Sequence, residues 1–316
     1  MESLRILLIG STGFVGANLA RHLLRGQHEL HVQVRATSNL WRIHDIRDQV
    51  ELHYFDITSP RSTENALRAA NPEGVILCSK YGGRRADESQ NRHYAVNFQG
   101  LRNILMSGQR SGVEWMINTG SAYEYGDSKE VVSERTLPRP VGDYGLSKLF
   151  GTEYCSFFSR RLGLPVVTLR PFQAYGPYED ASRLFPYLLQ CMTTDKPAVL
   201  RNPNVVRDYV FINDLLRAYD LSTKKVRDLP LGSVINIGTG VGHSVREVAQ
   251  RLRRTCRSKS KIEVDTGEAR TEAKIPKLVA NITAAASLLA WQPQYPLDRG
   301  LRHYAEWFAS HGEILR

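Results

Sequence analysis

Cysteine is scarce in this chain: four among 316 residues, Cys78, Cys155, Cys191 and Cys256. They lie far apart, form no Cys-x-x-Cys pair and have no histidine at ligand spacing, which argues against a zinc site and against a disulfide framework. Reduced, structural thiols are the expectation, with no metal. Long apolar runs are missing as well, since none approaches the ~18 residues that a membrane span needs. Met1-Glu2-Ser3-Leu4-Arg5 leads straight into a strand-like run, without the apolar core of a signal peptide, so the expected address is the cytoplasm. Repeats, low-complexity tracts and linkers are also lacking, and 42% hydrophobic with 23% charged residues argues against disorder, collagen and coiled coil. One sign of charge is in surplus: 42 basic against 32 acidic residues give a formal net charge of +10. That balance suits an anionic partner, whether a nucleotide, a polynucleotide or an acidic surface, and charge alone does not choose among them.

What is present is rhythm. Short β-rich runs at Arg5–Ile9, Leu30–Val34, Leu52–Phe55, Val75–Cys78, Trp115–Asn118 and Val166–Leu169 alternate with amphipathic stretches, the pattern of βαβ units and a parallel sheet. Between the first two runs Val15, Leu19 and Leu23 recur every four residues and predict one apolar helix stripe. The fold class is therefore α/β, a doubly wound parallel Rossmann sheet over residues 1–172, with returning segments around 209–250. Beyond Pro171 the prolines Pro177, Pro186, Pro197 and Pro203 punctuate shorter segments, which predicts a smaller, partly discontinuous substrate-binding lobe over 173–316. The run Arg251–Lys261 holds six basic residues in eleven; with no aromatics interleaved for base stacking it reads as a solvated helix end rather than a nucleic-acid patch.

Directly after the first run comes Gly10-Ser11-Thr12-Gly13-Phe14-Val15-Gly16, opening the amphipathic helix. Glycines there permit a tight turn and let backbone approach a pyrophosphate, which rests on amide donors at a helix N-terminus. In a strand-loop-helix context this pattern signals a dinucleotide, and Gly10, Thr12, Gly13, Phe14, Val15 and Gly16 are its expected contacts. At the tip of the second strand an NAD enzyme needs a carboxylate for the adenosine ribose, whereas this chain has Val34-Arg35-Ala36-Thr37-Ser38-Asn39. Arg35 is suited to hold a 2′-phosphate, with Ser38 and Asn39 adding donors, so NADP(H) is favoured and NAD(H) is the alternative, with Arg35 stacked on adenine. Asp56-Ile57 is placed to meet the adenine ring; as an alternative, Asp56 caps a turn.

Tyr144 and Lys148 are four apart, which puts them on one helix face. An ammonium beside a phenol favours the phenolate and brings its pKa down from ~10 toward the working range of an acid or base. Ser121 follows the fifth strand, where a parallel sheet places its ligand-facing loops, and its hydroxyl can bond a substrate oxygen.

With these residues in view, the chain resembles the extended short-chain dehydrogenase/reductases, in the NAD-dependent epimerase/dehydratase group that acts on nucleotide sugars. The matching pieces are the glycine loop, Asp56-Ile57, Asn97 within Val96–Gly100, Ser121 ahead of Tyr125-Gly126, Tyr144 with Lys148, Leu169-Arg170-Pro171-Phe172, Tyr175-Gly176-Pro177, Arg207–Val210 with Asp214, and Asn236-Ile237-Gly238. The resemblance implies that Ser121, Tyr144 and Lys148 are catalytic, with Tyr144 and Lys148 also at the nicotinamide ribose, and that Cys78, Ser79 and Phe172 contact cofactor. It assigns Lys80, Tyr81, Ser121, Tyr123, Gln173, Arg207 and Arg270 to the substrate, with Arg207 on the diphosphate; a salt bridge of Arg207 to Asp208 or Asp214 is the alternative. Asn97 it makes structural, and it implies a homodimer through helices around Glu88–Gln109 and Tyr144–Arg161.

Departures from the family narrow the activity. Its 4,6-dehydratases carry an Asp-Glu pair after the catalytic hydroxyl, where Ala122-Tyr123 stands here, so a dehydratase is disfavoured. Gln173 replaces a common Asn, and Ser79-Lys80-Tyr81 replaces small residues. A looser similarity of Leu184–Tyr187, Arg207–Asn213 and Ile237–Gly240 to CDP-abequose synthase-like 4-ketoreductases, with Arg35, points to NADPH-dependent reduction of a 4-keto-6-deoxy or dideoxy sugar on its nucleotide. A C4 epimerase with tightly bound NAD is the alternative, and a non-catalytic NADP-binding regulator or nucleic-acid binder is the alternative of another class.

Overall fold

The computed structural model describes residues 3–82, 89–128, 131–265 and 275–315. In chain order the elements are β1 (Arg5–Ile9), α1 (Phe14–Arg25), β2 (Glu29–Val34), β3 (Glu51–Tyr54), α2 (Pro60–Ala70), β4 (Gly74–Leu77), α3 (Gln90–Tyr94), α4 (Leu101–Arg110), β5 (Trp115–Thr119), α5 (Asp143–Leu162) and β6 (Val166–Pro171). They continue with β7 (Gln173–Tyr175), α6 (Leu184–Thr193), β8 (Ala198–Arg201), β9 (Val206–Phe211), α7 (Ile212–Lys225), β10 (Val234–Ile237), β11 (Gly242–Ser244), α8 (Val245–Thr255), β12 (Ile262–Asp265), β13 (Lys277–Leu278), α9 (Thr283–Leu289) and α10 (Leu297–His311).

Seven strands form one sheet in the order β10-β6-β5-β4-β1-β2-β3. Pairing is parallel from β3 through to β6. Such strands are covered on both faces and read as unbroken apolar runs, as Ile6–Ile9 and Val75–Ile76 do, all of them fully buried. The helices follow because each carries an apolar stripe: α1 buries Leu19 and Leu23, and α4 and α5 place Leu101, Ile104, Leu105, Cys155 and Phe158 in a cluster with Leu7, Val75, Met116 and Val166. The strand order reverses between β1 and β4, and it is at the carboxyl ends flanking such a reversal that doubly wound sheets bind ligands.

Two compact units divide the chain. The first comprises Met1–Glu124, Gly142–Arg170 and Leu216–Ile235; the second comprises Tyr125–Val141, Pro171–Leu215 and Asn236–Arg316. Residues 125–141 group with the later segments. Val132 N–H donates to the Val279 carbonyl at 2.9 Å and the Val132 carbonyl accepts from Asn281 N at 2.8 Å. Tyr125 Oη donates to Asn236 Oδ1 at 2.7 Å. Within the second unit β9 is flanked by β11, β13 and β7, while β8 pairs in parallel with β12.

The basic run of α8 is solvated and locally paired: Arg251 donates to Glu247 at 2.7 Å and to Asp298 at 2.7 Å. All four cysteines are free thiols. Among the described residues no helix is long and apolar enough to cross a membrane, and no group of three or more His, Cys, Asp or Glu could hold a metal ion.

Candidate active site

The glycine loop is shaped by contacts that leave no room for side chains. Gly10 has φ +85°, and a Cβ there would sit 2.6 Å from the Ser79 amide nitrogen and 2.8 Å from the Cys78 carbonyl carbon. The end of β1 is therefore pressed against the backbone after β4, at the reversal of strand order. At Gly16 a Cβ would meet the Gly10 carbonyl oxygen at 2.2 Å, so the first turn of α1 can lie on the loop only with glycine there. Gly13 is different: its Cβ would meet only the Gly10 oxygen, at 3.3 Å. It stands at the N-cap of α1, exposed and with no side-chain cap, which leaves amide donors facing outward with the positive end of the helix dipole behind them. Residues of this kind fit a pyrophosphate, as a nicotinamide dinucleotide carries.

Around this loop the expected cofactor residues take distinct places. Arg35 is exposed at the tip of β2, where its amide donates to Ser38 Oγ at 2.9 Å, and Asn39 Oδ1 accepts from Trp41 N at 3.0 Å. Arg42, which sequence reasoning missed, reaches back so that its Nη1 donates to the Thr12 carbonyl at 3.3 Å, bringing a guanidinium beside the loop. Asp56 Oδ1 caps a turn by accepting from Thr58 N at 2.9 Å and Thr58 Oγ1 at 2.8 Å. Ile57 has its side chain buried in the core, where a Cβ on Gly100 would approach it to 2.7 Å. Asp56 is the exposed member of the pair. Cys78 turns inward; Thr119 Oγ1 bonds Tyr219 Oη at 2.6 Å and donates to Cys78 Sγ at 3.5 Å, and burial pushes the Cys78 thiol up.

Tyr144 and Lys148 lie one turn apart in the first turns of α5. Lys148 is buried and donates to the Thr119 carbonyl at 2.9 Å and the Ser79 carbonyl at 3.2 Å. Two of its three donors are thus spent on the ends of β5 and β4, which fixes the ammonium at the carboxyl ends of these strands. Burial brings the Lys148 pKa down to about 8, against an opposing pull from the Glu124 carboxylate. Ser121 is buried at the end of β5, and its Oγ accepts from Tyr123 N at 3.2 Å. The Tyr123 and Tyr144 rings meet edge to face at 6.2 Å, and Lys80 lies 5.9 Å from the centre of the Tyr144 ring. Asn97, in a π-helical turn over 95–100, clamps both backbone groups of Tyr81 at 2.8 and 2.9 Å and donates to Ser147 Oγ at 3.0 Å. That turn is a local widening of the helix of the sort found at functional sites.

Phe172, Gln173 and Arg207 belong to the second unit. Phe172 is buried against Tyr125, Gln173 opens β7, and buried Arg207 donates through Nη1 to the Val206 carbonyl at 2.8 Å. Asp208 accepts from Thr239 N and Oγ1, Gly240 N and Ala280 N, and Asp214 from Gln294 N and Tyr295 N. Arg270 lies outside the described residues. Sequence reasoning also missed Glu124, whose buried carboxylate underlies Ser121; its position three residues after the serine was visible, its partners were not.

Residues 6–238 match the family model described as the NAD dependent epimerase/dehydratase family. A UDP-glucuronate 4-epimerase of Thermodesulfobacterium geofontis is 25% identical over 98% of this chain and 98% of its own. A GDP-6-deoxy-D-talose 4-dehydrogenase of Aggregatibacter actinomycetemcomitans is 27% identical over 79% of each. The crystal structure of UDP-glucuronic acid 4-epimerase from Bacillus cereus, in complex with UDP-glucuronic acid and NAD, superimposes with a TM-score of 0.84 at 22% identity, covering 96% of this chain and 99% of that one. With the family model matched over most of its length, the chain belongs to the NAD dependent epimerase/dehydratase family.

Proposed function

We propose that this chain is an NADPH-dependent reductase of the C4 keto group of a nucleotide-linked 4-keto-6-deoxy or dideoxy sugar. The observation that carries the cofactor preference is the tip of β2, where Arg35 stands in place of a carboxylate and Arg42 lies against the glycine loop. Two guanidiniums suit a 2′-phosphate through charge-assisted hydrogen bonds. Chemistry at C4 is supported by the buried Lys148 beside Tyr144 on α5 and by Ser121 at the end of β5, and by relatives whose names carry reactions at that carbon.

The bound nicotinamide supplies a hydride to the carbonyl carbon. Tyr144 gives its phenolic proton to the C4 oxygen, so that C=O becomes CH–OH. The Ser121 hydroxyl holds that oxygen. Lys148, anchored by the Thr119 and Ser79 carbonyls, provides the positive charge that favours the Tyr144 phenolate left behind. In this reading Lys80, Tyr81, Tyr123, Gln173 and Arg207 contact the sugar nucleotide, Arg207 at its diphosphate, and Phe172 and Ser79 contact the cofactor.

A second reading, a nucleotide-sugar C4 epimerase that keeps NAD bound, is favoured by the similarity to a UDP-glucuronate 4-epimerase and by NAD in the B. cereus structure. It uses the same three residues. Calorimetric titration of the purified protein with NADPH and with NADH, together with analysis for cofactor already bound, separates the two. NADPH preference of an initially empty site, falling by ~10–100-fold in Arg35→Ser as one charged hydrogen bond of ~1.5–3 kcal/mol is lost, is the expected result. Copurified NAD and no loss in Arg35→Ser would replace the reductase with the epimerase.

The proposal includes a homodimer. It is supported by the aromatic ladder along α5, where Phe150 and Phe157 remain 43% and 48% exposed, Phe98 packs against Phe150 and Tyr154, and a second copy would cover the face.

A further inference from the structure

Beneath Ser121 runs a polar network that no step above uses. Glu124 is fully buried, and its Oε1 accepts from the Ser121 N–H at 2.7 Å and from Thr152 Oγ1 at 3.0 Å, while Oε2 accepts from Arg170 Nε at 2.7 Å. The Ser121 carbonyl in turn accepts from the Glu124 N–H at 3.1 Å, so the turn is closed from both sides. Each partner comes from a different element: Ser121 from the loop after β5, Thr152 from α5 one turn beyond Lys148, and Arg170 from the end of β6. Gly120 is bound to this arrangement as well, since a Cβ there would lie 2.6 Å from Glu124 Oε1.

An apolar pair of similar volume would fill this space without the desolvation cost of two buried charges. We propose that Glu124 is a positioning residue of the reaction: clamped by Arg170 and Thr152, its carboxylate fixes the Ser121 backbone against α5 and sets a buried negative charge near the Lys148 ammonium. The inference rests on the reading in which Ser121, Tyr144 and Lys148 do the chemistry. Burial pushes the Glu124 carboxyl up, and Arg170, the Ser121 amide and Thr152 pull it back. Among the described residues the thiols of Cys155 on α5 and Cys78 after β4 also act on Lys148, and Tyr144 stands one turn before it on α5. Burial pushes both thiols up, Cys155 to about 12, so they stay neutral near pH 8. Of these groups the Glu124 carboxylate opposes the desolvation of Lys148 most strongly.

The test is NMR titration of the protein carrying 13C-labelled lysine, without added cofactor, reading the Lys148 Cε resonance assigned by its loss in Lys148→Met. The wild-type inflection is expected near 8. In Glu124→Gln it moves down by about one unit or more, which is tenfold less protonated Lys148 at a given alkaline pH. Should that variant fail to fold with Arg170 uncompensated, the double variant Glu124→Gln/Arg170→Met removes both charges and keeps an amide oxygen for Ser121 and Thr152. A downward move is expected there too, and an unchanged inflection in either folded variant overturns the proposal. With a nucleotide sugar that turns over, the alkaline limb of kcat/KM moves by the same amount. If no nucleotide sugar turns over and the inflection still moves, the functional reading fails and the electrostatic role of Glu124 stands.

Discussion

The two compact units are assembled by different rules. In the first, strands such as Ile6–Ile9 are buried on both faces, and the chemistry-bearing groups sit where these strands end. In the second, β8 alternates buried and exposed residues, and distant segments are tied together by buried carboxylates: Asp208 to Thr239, Gly240 and Ala280, and Asp214 to Gln294 and Tyr295. In the proposed reading polar burial serves reactivity in the first unit; in the second it serves cohesion.

Tyr144→Phe sharpens the contrast most. Turnover should fall by ~10²–10⁴-fold, the usual worth of a general acid, while cofactor affinity and melting temperature stay nearly unchanged; retained turnover in that variant would refute the role. The next effect is pH dependence. With Lys148 at about 8 in the folded protein against the ordinary lysine value of 10.5, its positive charge is present below pH 8, and kcat/KM should fall about tenfold per unit above it. Stability responds with the opposite sign. Between about 8 and 10.5 the unfolded chain binds more protons than the folded one, so this group's contribution to stability rises across that window and is lost again as pH falls through 8. Denaturant midpoints and pH-rate profiles measured side by side would show the two trends diverging.

Asp208→Asn tests cohesion. It turns an acceptor of four donors into one that offers its own N–H groups to them, and should cost ~1–3 kcal/mol for a buried donor left unpaired, read as a lower chemical-denaturation midpoint. Loss of turnover without loss of stability would overturn the assignment of this carboxylate to structure. The smallest effect is expected at Arg251→Ala on the half-solvated face of α8, within ~0–1 kcal/mol for exposed ion pairs, and with no change in cofactor affinity.

Where contacts are local, the sequence already carries them. The six parallel strands appear as runs within a residue or two of their final bounds, and the i, i+4 spacing of Tyr144 and Lys148 becomes one turn of α5. Gly10 and Gly16 stand in a pattern whose need for glycine is steric. Other features depend on partners far along the chain. Ile57 belongs to the core because α4 and the turn before it cover it, and Glu124 acquires Arg170 from 46 residues away. The segment 125–141 joins the second unit through Asn236, Val279 and Asn281. Nothing in the periodicity of those residues marks such distant ties.

The discontinuity of the first unit also sets an order to its making. On the ribosome the helix carrying Tyr144 and Lys148 emerges early, yet the Ser156 hydroxyl must wait for the Gly232 carbonyl, the Thr168 amide for Ser233 and the Thr119 hydroxyl for Tyr219. All of 171–215 is synthesised in between. The unit that is started first is therefore completed only after much of its neighbour exists, and a nascent chain released at residue 172 lacks the piece that closes it.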